Sequence, residues 1–349
     1  TLFNALTRVG AKTENYPFCT IDPNVGVIAV PEPRLSRLND VEMRPQTVPP
    51  VIEFVDIAGL VEGASRGEGR GNQFLEHIHD ADLLVHVVRA FDDANVIQVK
   101  PNSSPQEDIG VINLELMLAD LQHAERALER YERRARGQDA AAKRSVDLLK
   151  RIIAHLGDDR PLRSLELTRD DLSTIPDCRF LSAKPVMYVA NVGEDALPGL
   201  DNAAVRAIRA HADSEGNTTL PICASIEAEI AELDAAEAEE FGAELGLCED
   251  ALSRLIRECY GQLGLITFFT VGDAEVRGWT LRAGATAPEA GGVIHSDFHD
   301  AFIRAEVTAF TDFDHFGSRH AAREHGLLRT EGKDYIVADG DTLFFRIGK

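Results

Sequence analysis

Hydrophobic and polar positions fall into three textures along the chain. Leu2, Phe3, Leu6 and Val9 recur at helical spacing and predict a helix over 1–9. After a loop containing Pro17 and Pro23, VGVIAV (25–30) and VIEFVDI (51–57) read as strands. Gly63, Gly67, Gly69 and Gly71 then mark a loop, and NQFLEHIHDA reads as a short helix. LLVHVVRAF (83–91) reads as a buried strand, and PVMYVANV (185–192) and TTLPICAS (218–225) as two more. Helices are predicted around 227–240 and at 249–262. Strands alternating with helices imply a mostly parallel sheet covered on both faces.

The second texture lies between the third and fourth of these strands. From about 112 to 157 the apolar positions follow two long amphipathic helices broken near Gly137, with Glu and Arg dense on their outer faces. Two antiparallel helices joined by a short turn bury one stripe each, so this pair reads as an insertion between two strands of the sheet. The third texture begins near 264. LITFFTV, EVRGWTLR, AFIRAEVTAF and DYIVADGDTLFFRI are strand-like, with one helix expected at 294–303. The expected organisation is an α/β domain formed by 1–110 and 182–263, a helical insertion over 111–181, and a small α+β module of ubiquitin-like size over 264–349.

Composition narrows the class. At 349 residues, 44% hydrophobic and 27% charged, the chain is an ordinary globular one with room for several domains. No apolar stretch reaches membrane-spanning length. Five scattered cysteines without a CxxC point to reduced thiols and a cytoplasmic setting, not a disulfide framework or a zinc site. A formal charge of −22 disfavours broad contact with nucleic acid, although a local basic patch is compatible with it.

The candidate chemistry starts at Asp56. A carboxylate at a strand end with glycine three residues later suits the Mg²⁺-ordering corner of a phosphate-loop NTPase. Gly59 would offer its backbone N–H beside the γ-phosphate, where a side chain would block approach. Alone, Asp-x-x-Gly is also the sequence of an ordinary turn. In NYPFCTIDPN, Thr20 sits in a proline-bounded loop before a strand. Its hydroxyl would be a neutral oxygen ligand for Mg²⁺, and it could equally be a turn residue. Asn191, Val192 and Glu194 follow a strand at the end where doubly wound sheets bind ligands. GTPases carry Asn-Lys-x-Asp there; here valine replaces the lysine and glutamate the aspartate. Backbone groups around Val192 suit adenine, while Glu194 could still accept from guanine. Ala224 and Ser225 form a small corner able to pack beside a base. His77, His79 and His86 tempt a metal reading, but read better as solvated helix residues and a packing histidine. The Glu/Arg-rich helices read as a solvated face or a partner surface.

Together, TLFNALT, NYPFCTIDPN, EFVDIAGLVEGASRGEG, the NV.E after a strand, EIAEL and GKDYIVADGD resemble the Obg-like ATPases of the YchF type, TRAFAC-class phosphate-loop NTPases, over nearly the whole chain. The resemblance implies a Ras-like nucleotide-binding domain, a coiled-coil insertion and a C-terminal TGS domain of ubiquitin-like fold. It implies ATP preferred to GTP, Mg²⁺, association with the ribosome (large subunit or 70S) with RNA contact, no membrane, and a monomer acting as a translation- or stress-linked switch. Thr20 falls on the family's Mg²⁺-binding threonine, Thr1 on the last phosphate-loop residue, and Asn191 with Val192 on the base-reading pair. The first strand and the GxxxxGK[ST] loop are expected upstream of Thr1, so the chain as it stands is expected to bind nucleotide poorly. Gln98 stands where the family commonly has a water-orienting histidine, and glutamine can serve that role. Leu60 stands where Ras-type enzymes carry a glutamine, so the attacking water must be oriented from elsewhere. A GTPase of the Obg class, and a nucleotide-gated ribosome-binding adaptor without significant turnover, are the alternatives.

Overall fold

The computed structural model describes residues 1–11, 25–57, 70–93, 96, 103–136, 140–247, 250–317 and 319–348. In chain order they form α1 (Leu2–Ala11), β1 (Val25–Ala29), α2 (Pro33–Glu42), β2 (Gln46–Val48), β3 (Val51–Val55), α3 (Arg70–Asp80), β4 (Leu84–Arg89), α4 (Pro105–Ala135), α5 (Ala140–Gly157), α6 (Arg169–Ser173), β5 (Val186–Asn191), α7 (Ala203–Ser214), β6 (Thr219–Ile222), α8 (Ala224–Ile230) and α9 (Ala235–Glu244). There follow α10 (Ala251–Gln262), β7 (Leu265–Val271), β8 (Glu275–Arg282), α11 (Ala287–Ile294), α12 (Ser296–Asp300), β9 (Phe302–Ala309), α13 (Phe310–Phe316), α14 (Arg319–Glu324), β10 (Arg329–Glu331) and β11 (Asp341–Ile347). Contacts divide the chain into two compact units, Thr1–Leu2 with Val55–Cys248, and Phe3–Phe54 with Glu249–Lys349.

The first unit is built on a parallel sheet, β4-β5-β6, in register from Leu84↔Val186 to Arg89↔Asn191 and from Tyr188↔Thr219 to Asn191↔Ile222. The central strand β5 is buried from Val186 to Ala190 and ends in the polar Asn191, as suits a parallel strand covered on both faces. β4 departs from the expectation of a buried strand: it lies at one edge of this sheet, and Val87 is 46% exposed. Ile109 from the first turns of α4, and Val205, Ile208 and Ala212 from α7, pack against Val88, Val186 and Tyr188.

The 31 residues of α4 start at a capping box, in which Ser104 accepts from the Glu107 N–H and Glu107 from the Ser104 N–H, with Pro105 in the first turn. Beyond the sheet, α4 packs on α5 through Ala124, Ala127 and Tyr131 against Val146, Leu149 and Ile152. The chain returns through a 3₁₀ turn, Leu162–Ser164, and α6. The single helix expected around 227–240 is two, α8 and α9. Asp234 interrupts it by accepting from the N–H groups of Ala236 and Glu237, both at 3.0 Å, and so caps α9.

The second unit carries a six-stranded sheet in the order β10-β9-β11-β7-β8-β2. β7 and β8 are antiparallel, β11 runs antiparallel to β9 and parallel to β7, and β2 adds parallel to the β8 edge with Gln46 beside Glu275. Pro50 approaches so closely that a Cβ on Gly278 would lie 2.7 Å from its Cδ. Phe268, Leu281, Phe302, Val307 and Leu343 form one core, and Leu35 and Leu38 of α2 close a second around Phe269, Val276 and Phe313. Arg34 ties α2 down by pairing with Glu32 at 2.5 Å and Asp339 at 2.7 Å. The helix expected at 294–303 lies earlier, as α11 and α12, because the Thr286–Glu289 capping box starts it and extended backbone at His295 breaks it. In DYIVADGDTLFFRI only Asp341–Ile347 is strand; Tyr335 and Val337 reach the core from a loop.

Candidate functional site

Five of the singled-out residues meet where β5 and β6 end. The Asn191 carbonyl accepts from the Ala90 N–H at 2.8 Å, and its side-chain Oδ1 accepts from the Ala224 N–H at 3.1 Å. Asn191 thus staples the end of β4 and the start of α8 to its own strand. The Val192 N–H is engaged by the Ile222 carbonyl at 2.9 Å. It therefore cannot serve a base, which leaves the Val192 carbonyl and the Gly193 amide as the nearest backbone groups. Glu194 opens a 3₁₀ turn, Glu194–Ala196, and accepts from the Ser225 hydroxyl at 3.2 Å. Both residues are exposed, while Val192 and Ala224 are buried beneath them. The result is a corner with an exposed carboxylate-hydroxyl pair beside two buried apolar residues. The carboxylate can accept from an exocyclic amine, and the Ser225 hydroxyl can donate to a ring nitrogen by giving up its bond to Glu194.

Asp56 is exposed immediately beyond β3, whose strand ends one residue before it, and Thr1 is exposed immediately before α1. Among the described residues no hydrogen bond joins either of them to this corner. Thr20, Gly59 and Gln98, as well as Leu60, lie outside the described residues.

Sequence reasoning passed over three side chains that build this corner. The Arg89 guanidinium donates to the carbonyls of Phe91 (3.1 Å), Asp93 (3.0 Å) and Val96 (3.0 Å), and lies over the Phe91 ring. Phe91 packs beside Gly193, where an added Cβ would come within 3.3 Å of the Phe91 Cβ and 2.5 Å of an Asp195 carboxylate oxygen. Asn202 caps α7 and donates to the Ala90 carbonyl at 2.7 Å. An arginine ending an apolar strand was the available signal for the first.

Toward the start of β6, where Tyr188 pairs with Thr219, lies a buried polar network. Arg163 from the insertion pairs with Glu215 at 3.0 Å and donates to Asn113 Oδ1 at 2.9 Å. Tyr188 of β5 and Asn217 each donate to Glu215 Oε2 at 2.9 Å. Burial alone would raise the Glu215 carboxyl; the Arg163 hydrogen bonds and charge, with Tyr188, hold it below the ordinary range. His86 packs on the Tyr188 ring at 5.6 Å. Burial, reinforced by the nearby cations Arg163 and His211 against the opposing Glu215, lowers His86 to about 4. A histidine kept neutral contributes stability above its unfolded value, and that stability is lost as pH falls toward 4. Exchanging His86 for phenylalanine should therefore remove from the stability profile a contribution of about 1–3 kcal/mol that grows as pH rises from 4 to 6.5, allowing for solvent at the half-buried ring. Urea melts at a series of pH values read this out as a shift of the slope against wild type, and an unchanged profile would place the titration elsewhere.

Comparison with known proteins follows the same outline. Residues 1–124 match the family MMR_HSR1, "50S ribosome-binding GTPase", and residues 265–348 match YchF-GTPase_C, "Protein of unknown function (DUF933)". The "Ribosome-binding ATPase YchF" of Pasteurella multocida is 48% identical over 346 residues, 99% of this chain and 95% of that protein. The protein of the same name from Bacillus subtilis is 46% identical over 347 residues, 99% of this chain and 95% of that one. The solved structure of the Schizosaccharomyces pombe YchF GTPase superposes with a TM-score of 0.89 at 34% identity, covering 99% of this chain and 93% of that one.

Proposed function

The chain belongs to the YchF family of ribosome-binding ATPases, nucleotide hydrolases with a Ras-like GTPase domain followed by a C-terminal domain, and from this we propose that it hydrolyses ATP with Mg²⁺ while bound to the ribosome. The observation that supports the ATP reading best is the polar corner at the ends of β5 and β6. Glu194 would accept from the adenine amine, the Ser225 hydroxyl would turn from Glu194 to donate to the ring, and Asn191 braces the corner by holding Ala224. A rigid, prepaid geometry is what a base needs for selective binding. The exposed Asp56 carboxylate fits a hard cation, and with the Thr20 hydroxyl it would hold Mg²⁺. That ion would neutralise charge developing on the β- and γ-phosphate oxygens. Thr1 would lie beside the phosphates, the Gly59 amide would donate to the γ-phosphate, and Gln98 would orient the attacking water. The domain limits expected from the sequence, and a cytoplasmic monomer acting on the large subunit or the 70S particle, belong to the same proposal. No helix among the described residues is long and apolar enough to cross a membrane.

Phosphate release from ATP and GTP, with and without ribosomes, tests this for the chain alone and for the chain with a GxxxxGKS loop placed ahead of Thr1. Ribosome-stimulated release from ATP is expected, and it should weaken in Asp56→Asn. ATP should win competition against GTP by at least tenfold, about 1.4 kcal/mol. Absence of release under every condition would favour the adaptor reading, and GTP winning by tenfold would overturn the role given to Glu194.

A further inference from the structure

Charge is distributed unevenly in this acidic chain. Residues 126–151, the far end of the α4–α5 hairpin, hold nine Lys/Arg against four Asp/Glu, a net +5 in a chain of net −22. All nine cations are exposed. On α4 the two signs are sorted. At 3.6 residues per turn, Arg126, Arg130, Arg133 and Arg134 lie on one flank of the buried stripe Ala124, Ala127 and Tyr131, and Glu125, Glu129 and Glu132 on the other. A merely solvated helix interleaves its charges in i,i+4 pairs; here Arg126, Arg130 and Arg134 follow one another at i,i+4 as like charges, and Arg133 alone of the four has a glutamate, Glu129, four residues back. Ion pairs engage Arg130 with Asp177 and Lys150 with Glu132. Arg126 and Arg133 direct only their Nε groups to carbonyls one turn back, which leaves the outer guanidinium edges toward solvent. Lys143, Arg144 and Arg151 extend the positive field onto the solvent face of α5.

We infer that the tip of the helical hairpin is an RNA-docking surface that grips the phosphate backbone of structured RNA through the arginine flank of α4. Guanidinium groups suit phosphate because their planar forks bind its oxygens in pairs. The acidic remainder of the chain is repelled by RNA, so the field orients the hairpin tip first. The inference deepens the ribosome reading given above, and rests on it only for the choice of ribosomal RNA as the target.

The test combines Arg126→Gln, Arg133→Gln and Arg134→Gln in the full chain and measures binding to ribosomes and to a protein-free ribosomal RNA fragment over a range of salt. All three positions are exposed, and circular dichroism confirms that the helices persist. Affinity for both targets should fall about tenfold to a hundredfold, and the slope of log affinity against log salt should shrink by about two to three. Glu125→Gln with Glu129→Gln, the matched change on the opposite flank, should not weaken either. Unchanged affinity and slope in the arginine variant would overturn the inference. So would wild-type protein that binds ribosomes but not bare RNA, which would indicate an acidic protein partner. Wild-type protein that binds bare RNA but not ribosomes would instead defeat the ribosome reading and leave the docking surface standing.

Discussion

Replacing Arg163 by methionine is expected to destabilise the first unit by about 3–5 kcal/mol. Methionine keeps most of the apolar stem, so the loss reports the charge and not a cavity. The Arg163 side chain is only 7% exposed and Glu215 14%. Without the guanidinium, the Glu215 carboxylate would keep the Tyr188 hydroxyl and the Asn217 amide, but, among the described residues, no cation within hydrogen-bonding reach other than a protonated His211, whose Nε2 lies 3.5 Å away. A buried charge deprived of its partner costs more than the intact pair contributed. Glu215→Gln added to the arginine change should therefore recover a good part of the loss. The pH profile provides a second check. The depressed Glu215 carboxyl stabilises the fold above its unfolded value, and that stability is lost as pH falls through the folded one. Arg163→Met removes the cause of the depression, and also removes one of the cations that keep His86 neutral. Urea midpoints for the two variants decide the matter. A loss below about 1 kcal/mol, or a double variant no better than the single, would show that the pair is solvated.

This network was invisible in the sequence, and the reason is distance along the chain. Arg163 and Glu215 lie 52 positions apart, and neither sits in a recognisable motif. The apolar runs that became β5, β6, β7 and β8 were legible because burial on both faces, or pairing into a hairpin, demands continuous or alternating hydrophobicity. The helical insertion was legible from its amphipathic period. α2 and β2 were not. Their support comes from Phe269, Val276 and Phe313 and from the β8 edge, more than 220 residues away. The base corner was half legible. Asn191 and Glu194 announced themselves as polar residues ending an apolar strand, whereas Arg89 acts on carbonyls of its own following loop, which no side-chain pattern encodes. The burial assigned to β4 failed because the run 83–91 reads the same for a central strand and for the edge strand that it is in this sheet.

Asp120→Ala should cost a similar amount, about 3–5 kcal/mol, by a different route. The carboxylate of Asp120, on α4, accepts from the Leu181 N–H and the Ser182 N–H, both at 2.7 Å, and from the Ser182 hydroxyl at 2.6 Å. That hydroxyl in turn accepts from the Leu162 N–H at 3.2 Å, so one side chain organises both ends of the segment that returns from the insertion to β5. Alanine leaves these donors in a site where Asp120 is 2% exposed and water has little access. Burial raises the Asp120 carboxyl to about 6, against the opposing pull of the three donors and of Lys184. For a raised carboxyl, stability is fully present below its unfolded value and is lost as pH rises through the folded one. The wild-type chain therefore loses up to about 3 kcal/mol from this group between pH 4 and 6, while His86 restores stability over the same interval. The two slopes oppose each other, so the wild-type profile should be shallow there. Asp120→Asn should uncover the His86 slope, with stability rising steeply from pH 4 to 6, and His86→Phe should uncover the reverse. Urea melts across that window would reject the assignment if Asp120→Asn left the profile as shallow as before.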